Sequence, residues 1–173
     1  DPEGVGTVFE CLAQRLPPEL PPHGWHTVGR LDRNTTGLLL FTNDEWLVAH
    51  VTSPKTHLPK RYLARVSGTP TEEKLDPLRG GILLEDGPTL PAGARLCEDG
   101  RVELTLTEGR NHQVKRMLGA VGLPVLALHR QAVGALVLDV PEGAVRLLTE
   151  DEVRQSLGYV NRTLLTPPGG VAR

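Results

Sequence analysis

The chain of 173 residues has few cysteines and no long hydrophobic run. Its two cysteines, Cys11 and Cys97, are not spaced as CxxC, and two are too few to cross-link a chain of this size. A disulfide scaffold is therefore excluded, and a reducing cytoplasm is the expected location. No segment approaches the roughly 20 consecutive apolar residues of a membrane-spanning helix. We expect a soluble cytoplasmic protein that does not interact with membranes.

Aromatic residues are also scarce, with two each of Phe, Trp and Tyr. The 39% apolar content is enough for a core, which must be built mainly from Leu, Val and Ala. None of the six histidines has a Cys or carboxylate at a spacing typical of zinc ligands, so we expect no metal.

The formal net charge of −2 argues against a nucleic-acid partner, but it hides an uneven distribution. Residues 26–65 and 108–131 together contain ten basic and four acidic residues, a charge of +6. The remaining nine basic and seventeen acidic residues give −8. This pattern fits either chance clustering on a solvated surface or a basic groove that faces phosphates.

Apolar periodicity and turn residues predict an α+β fold. Gly158 should end the last helix, which Thr149 and Glu152 begin as a capping box. Thr69 should cap an earlier helix, with Pro70 at its first position and Glu72 completing a T-x-x-E box. The other predicted helices span about 7–16, 44–51 and 111–121, and the last one spans 149–157. The predicted strands span about 36–42, 60–67, 102–106, 124–130, 134–140 and 144–148.

The predicted 111–121 helix separates apolar from basic residues. At about 100° per residue, Val114, Met117, Leu118 and Val121 share one side and can be buried. The opposite side presents His112, Lys115, Arg116 and Gly119. Because cations near a helix N-terminus are unfavourable, they predict an anionic partner there.

The segment Gly29–Leu40 places Asp32 between Arg30 and Arg33, in a polar turn before an apolar run. Such an acid is expected to be ionised and well positioned. The residues alone favour an Asx-type turn or a salt-bridged loop over a functional carboxylate.

The segment GRLDRNTTGLLLFTND resembles the catalytic signature of the RNA pseudouridine synthases. LPKRYLARV and EGRNHQVKRMLGAVG resemble two further motifs of the branch typified by RsuA, the bacterial small-subunit rRNA enzyme. The resemblance continues through LHRQAVGALVLD and RLLTEDEV and covers nearly the whole chain. The HQVKRM and TSPKTH forms favour the small-subunit branch over the related large-subunit enzymes.

The resemblance implies a role for each matched residue. Asp32 would be the catalytic nucleophile toward a flipped-out uridine, Tyr62 would stack on the uracil, and Lys115 would pair with the aspartate. Arg30 would contact RNA. Phosphate contacts would come from Lys60, Arg61, Arg110, His112 and Arg116. The isomerisation needs no cofactor.

The implied fold is a mixed, mainly antiparallel sheet flanked by helices, with a basic central cleft that contains Asp32. Residues 1–163 would form the catalytic domain and residues 164–173 a flexible tail. The family's S4-type N-terminal domain and a first strand with a Lys-Pro-x-Gly motif are not found in the sequence. The expected enzyme is a monomer that modifies ribosomal RNA, most simply 16S rRNA. The alternatives are a 23S rRNA synthase of the same family and a non-catalytic RNA-binding or ribosome-assembly module.

Overall fold

The computed structural model describes residues 8–110 and 112–160 as an α+β fold. Within those residues, no helix is long and apolar enough to span a membrane. The helices are α1 (Val8–Arg15), α2 (Glu45–Thr52), α3 (Glu72–Gly80), α4 (Gln113–Ala120) and α5 (Glu150–Leu157), with a 3-10 turn at Pro54–Thr56. The strands are β1 (His26–Val28), β2 (Thr35–Gly37), β3 (Leu40–Thr42), β4 (Lys60–Val66), β5 (Leu83–Leu84), β6 (Gly87–Pro88), β7 (Gly93–Leu96), β8 (Val102–Leu106), β9 (Val125–Val133) and β10 (Leu136–Val137).

The central sheet is mainly antiparallel and has the strand order β10-β9-β4-β8-β7. Strand β2 adds to β9 in parallel, while β1 and β3 form a separate antiparallel pair, as do β5 and β6. Strand β9 thus contacts β4, β10 and β2. This topology confirms the expected mixed, mainly antiparallel sheet flanked by helices.

Two hydrophobic clusters stabilise the fold. The first packs α3 and α4 against β4 and β8, and its fully buried members include Leu75, Leu104 and Met117. The second packs α2 and α5 against β1 and β3, around Val51 and Leu157. Strand β9 contributes to both clusters, so it joins the two halves of the core.

The predicted faces of the 111–121 helix are confirmed. Val114, Met117 and Leu118 are buried in α4, whereas His112 is exposed. The capping box at Thr149 and Glu152 is also present, and Gly158 ends α5 in the left-handed conformation. Asp44 caps α2 through a hydrogen bond from the Trp46 amide.

Three predictions about elements are wrong. Thr71, rather than Thr69, caps α3 by accepting a bond from the Lys74 amide, and this start places two glutamates in the first turn, where negative charge is favourable. The predicted strand 36–42 is two strands, β2 and β3, which pair with different partners. Residues 144–148 do not form a strand, and Arg146 within them pairs with Asp139 and Glu152 instead.

Smaller differences concern element lengths. The strand predicted near 124–130 extends to Val133, whereas the one predicted near 134–140 is reduced to Leu136–Val137. Strands β1, β5, β6 and β7 were not predicted. The tail predicted from residue 164 lies outside the described residues.

Candidate active site around Asp32

Asp32 lies in the loop between β1 and β2, and backbone contacts fix this loop at its C-terminal end. The Thr35 amide donates to the Asp32 carbonyl at 2.9 Å, which closes a tight turn. Strand β2 then pairs in parallel with β9, with Gly37 opposite Arg130. A Cβ at Gly37 would clash with the backbone of Arg130, so only glycine allows this approach.

The Asp32 carboxylate contacts two residues that the motif in residues 108–122 contributes. The His112 Nδ1 lies 2.8 Å from Asp32 Oδ2, and the Lys115 Nζ lies 3.6 Å from the same oxygen. The Asp32 side chain is 29% exposed, so this ion pair is half-buried and only partly screened by water. The predicted pairing of Asp32 with Lys115 is therefore present, although the two residues lie far apart in the sequence.

Helix α4 brings both partners to Asp32. His112 is the N-cap residue of α4, and Lys115 lies one turn further on, on the face opposite the buried Val114 and Met117. The exposed amides at a helix N-terminus favour an anion. Sequence analysis predicted an anionic partner for the basic residues at the start of this helix, and Asp32 is that partner.

Tyr62, Arg130 and Gly37 form a row across the central sheet. Tyr62 on β4 is paired with Arg130 on β9, which is paired with Gly37 on β2. Tyr62 is partly buried and packs against the first hydrophobic cluster. The row links the predicted stacking tyrosine to the strand that follows Asp32.

Arg130 is 5% exposed, and the sequence alone predicted no role for it. Its Nε donates to the Leu38 carbonyl at 2.9 Å, and the Leu38 amide donates back to the Arg130 carbonyl at 2.8 Å. Among the described residues its Nη2 has no hydrogen-bond partner. The sequence signal was an arginine in a mainly apolar strand, because a buried guanidinium needs a specific reason.

Arg110 and Arg116 share a carboxylate on the β5–β6 turn. Arg116 Nη1 lies 2.7 Å from Asp86 Oδ1, Arg110 contacts the same carboxylate, and Arg110 also donates to the Pro88 carbonyl at 2.8 Å. Hydrogen bonds from Arg116 and Arg110 hold the pKa of Asp86 well below its usual range. The two arginines form a basic pair close to Lys115 in sequence, with Asp86 as their anion.

The remaining predicted RNA contacts are more scattered. Arg30 is exposed in the Asp32 loop. Lys60 turns inward and donates to the Val51 carbonyl at 2.8 Å, and burial, followed by the charge of Arg130, lowers the pKa of its amine. Arg61 pairs with Glu103 at 3.8 Å, on the sheet face opposite the buried Ala64. Among the described residues, no contact joins Lys60 or Arg61 to Asp32.

The arrangement is suited to nucleophilic or general-base chemistry by a carboxylate. Asp32 Oδ2 is contacted by His112 and Lys115, whereas the other carboxylate oxygen, Oδ1, has no partner among the described residues. Within residues 8–110 and 112–160 there is no cluster of three or more histidine, cysteine or acidic side chains suited to a metal.

The chain and its fold are similar to known proteins of one family. The family model described as RNA pseudouridylate synthase matches residues 2–120. The chain is 44% identical over 134 residues to ribosomal small subunit pseudouridine synthase A of Haemophilus influenzae, covering 75% of this chain and 58% of that protein. It is 41% identical over 164 residues to ribosomal large subunit pseudouridine synthase E of Xanthomonas axonopodis pv. citri, covering 80% of this chain and 85% of that protein.

A crystal structure of a pseudouridylate synthase superposes with a TM-score of 0.77 at 41% identity, covering 84% of this chain and 64% of the other. A chain of the archaeal box H/ACA sRNP Nop10-Cbf5 complex, 17% identical, has a TM-score of 0.51 over 76% of this chain and 44% of its own, and shares the fold. The chain spans 58% of the length of the Haemophilus influenzae relative. The family model covers more than half of the chain and its motif residues from Asp32 to Lys115, so the chain belongs to the RNA pseudouridylate synthase family.

Proposed function

We propose that this chain isomerises a uridine of ribosomal RNA to pseudouridine, with Asp32 as the catalytic nucleophile. The observation that carries the proposal is the half-buried Asp32 carboxylate, held through one oxygen by His112 and Lys115. Residues 1–163 act as the catalytic domain, as a monomer in the cytoplasm. The named relatives are ribosomal RNA pseudouridine synthases of both subunits.

The reaction replaces the carbon–nitrogen bond between ribose and uracil by a carbon–carbon bond, with no net oxidation or reduction. The bond from C1′ to N1 breaks, the uracil turns, and C1′ joins C5. C5 then loses its proton to solvent and N1 gains one, so the product is an isomer of the substrate. The Asp32 carboxylate can attack C1′ or C6, or assist loss of the C2′ proton. All three routes require an ionised oxygen, and no cofactor takes part.

A uridine within folded RNA must leave its stack to reach Asp32. In this proposal Tyr62 stacks on the extruded uracil, as aromatic residues do for single-stranded bases. Arg30 binds the backbone beside the site, and Arg110 and Arg116 exchange the Asp86 carboxylate for an RNA phosphate. The proposed RNA-binding set also includes Lys60, whose amine now donates to the Val51 carbonyl, and Arg61, which now pairs with Glu103.

We propose 16S rRNA as the substrate, because the 44% identical relative is a small-subunit enzyme. A specific observation also favours 23S rRNA: the alignment with a large-subunit enzyme covers 85% of that protein. Separate assays with 16S and 23S transcripts containing 5-³H-uridine, followed by mapping of pseudouridines, will distinguish the two substrates.

The central test is Asp32→Asn, which keeps the side-chain volume but removes the charged oxygen. We expect tritium release from 5-³H-uridine rRNA to fall by at least about 10³-fold, because a carboxamide is not a nucleophile. RNA binding, measured by filter retention, should change by less than about threefold, because a single charge contributes little to a large basic surface.

The same assay tests the alternative of a non-catalytic RNA-binding module. Such a module would bind rRNA but would release no tritium with the wild-type chain. Equal turnover by the wild type and Asp32→Asn would contradict the assignment of Asp32.

A further inference from the structure

The two oxygens of Asp32 have different surroundings. Oδ2 receives His112 Nδ1 at 2.8 Å and Lys115 Nζ at 3.6 Å. Oδ1 has no partner among the described residues. Within the described part of the chain, one carboxylate oxygen is thus contacted by two side chains that carry N–H groups, and the other oxygen by none.

The 2.8 Å contact with His112 is the shorter and more directional of the two. Because an ionised carboxylate only accepts hydrogen bonds, the His112 Nδ1 must carry a proton and donate it. A charge-assisted bond of this length restricts both the position and the rotation of the carboxylate. The Lys115 ammonium at 3.6 Å supplies charge but little orientation.

The backbone of His112 is in a conformation that serves this contact. His112 has φ 49° and ψ 34°, the left-handed region, which is uncommon for a residue with a side chain. It occupies the N-cap position of α4, yet its side chain makes no capping hydrogen bond. Strained non-glycine residues of this kind cluster at functional sites. Here the ring bonds Asp32 instead of capping its own helix.

We propose that His112 is a positioning residue for the reaction: it donates Nδ1–H to Asp32 Oδ2 and so holds Oδ1 toward the uridine. This inference rests on the proposed function and changes the role of His112, for which the sequence predicted phosphate binding. A phosphate contact would use the charge of the ring, whereas a positioning contact uses one N–H donor at one defined place.

The test compares three substitutions that differ in where they place an N–H donor. The Asn amide nitrogen matches His Nδ1 in distance from the backbone, and Asn tolerates the left-handed conformation. The Gln amide nitrogen matches Nε2 instead, and Ala has no donor. We expect His112→Ala and His112→Gln to lower kcat about 30-fold with KM within about twofold, since displacement of a reacting group by about 1 Å costs on the order of 100-fold. His112→Asn should retain kcat within about threefold.

His57 provides a matched control. It has φ 49° and ψ 31°, at the end of the Pro54–Thr56 turn, and it is exposed. His57→Ala therefore removes a left-handed histidine without touching Asp32. It should leave kcat within about twofold of the wild type, and melting temperatures of all variants will show whether they fold.

A spectroscopic readout is independent of turnover. We expect ¹⁵N NMR of the wild type to show His112 protonated at Nδ1 with a slowly exchanging proton, and this signal should be lost in Asp32→Ala. If the wild type releases no tritium, the proposed function fails, while the NMR result still decides the contact. Equal loss in His112→Asn and His112→Gln, or loss confined to KM with a reduced salt dependence, would overturn the positioning role in favour of phosphate binding.

Discussion

At the scale of single residues, the site contains two carboxylates, and each of them is paired with two basic side chains. Asp32 is bound by His112 and Lys115, whereas Asp86 is bound by Arg110 and Arg116. The first carboxylate is proposed to act on the substrate. The second occupies the arginines that we propose for phosphate contacts, so it competes with RNA for them.

Asp86→Asn is expected to strengthen RNA binding. Without the Asp86 charge, an RNA phosphate no longer competes with this carboxylate for Arg110 and Arg116. The substitution also removes a negative charge that repels RNA from the proposed binding surface of the protein. We expect about threefold tighter binding at low salt and a steeper decrease of affinity with salt concentration. Fluorescence anisotropy with a labelled rRNA fragment at several salt concentrations measures both.

Asp76→Asn is the matched control for Asp86→Asn. Asp76 also pairs with an arginine, Arg79, at 3.5 Å, but it lies on α3. Its loss should leave RNA affinity unchanged. Weaker RNA binding by Asp86→Asn would show that the carboxylate orients the two arginines rather than competing with RNA.

At the scale of elements, the parallel pairing of β2 with β9 positions the catalytic loop. Asp32 lies three residues before β2, and its carbonyl closes the turn that starts the strand. Gly37 has φ 115° and sits against the Arg130 backbone. The Arg130 guanidinium then binds the Leu38 carbonyl, so the chain is held on both sides of Gly37.

Gly37→Ala is expected to destabilise the fold by more than about 3 kcal/mol, because the added Cβ would overlap the Arg130 carbonyl group and would force β2 away from β9. Gly24→Ala is the control: Gly24 has φ 91°, but a Cβ there meets no atom within 4 Å. It should cost only about 1 kcal/mol of backbone strain. Urea unfolding of both variants gives the comparison, and equal destabilisation would contradict a close-packing role for Gly37.

Local features of the sequence predicted the elements that depend on short-range physics. The faces of α4 and the capping box at Thr149 were both predicted correctly. The pairing of Asp32 with Lys115 was also correct, but its basis was different. Spacing cannot connect two residues so distant in the chain, and the family resemblance supplied this pair.

The missed features depend on contacts between distant parts of the chain. An apolar run over 36–42 gives no sign that it divides between β9 and β1, since strand partners are not encoded locally. Arg130 was missed for the same reason, because its burial depends on β2 and β4 packing on either side of β9. His112 was predicted as a cation for RNA because the left-handed turn that aims its ring at Asp32 is not visible in the sequence.

At the scale of the whole molecule, the net charge of −2 results from two different uses of charge. The motif-bearing stretches have an excess of basic residues, consistent with the proposed RNA surface. Many acids elsewhere pair with arginines within the fold, including Glu152 with Arg146 at 2.8 Å and Glu103 with Arg95 at 3.1 Å. These pairs make the stability of the molecule depend on pH.

The ion pair between Arg146 and Glu152, at the start of α5, predicts how the stability of the fold changes at acidic pH. Hydrogen bonds from Arg146 and then from the Thr149 backbone lower the pKa of Glu152 to about 2, from 4.5. A carboxyl whose pKa is lower in the folded state stabilises the fold above its unfolded pKa, and that contribution is lost as the pH falls through the folded value. The contribution of Glu152 is therefore complete above about pH 5 and disappears as the pH falls from 4.5 toward 2.

Glu152→Gln isolates the charge, because Gln also completes a capping box with Thr149. We expect the melting temperature of Glu152→Gln to be lower than that of the wild type at pH 7, and the two to converge as the pH approaches 2. Glu150→Gln removes a charge from the same first turn and controls for the helix dipole, which favours both glutamates. If Glu150→Gln shows the same pH-dependent loss as Glu152→Gln, the dipole rather than the Arg146 pair is responsible.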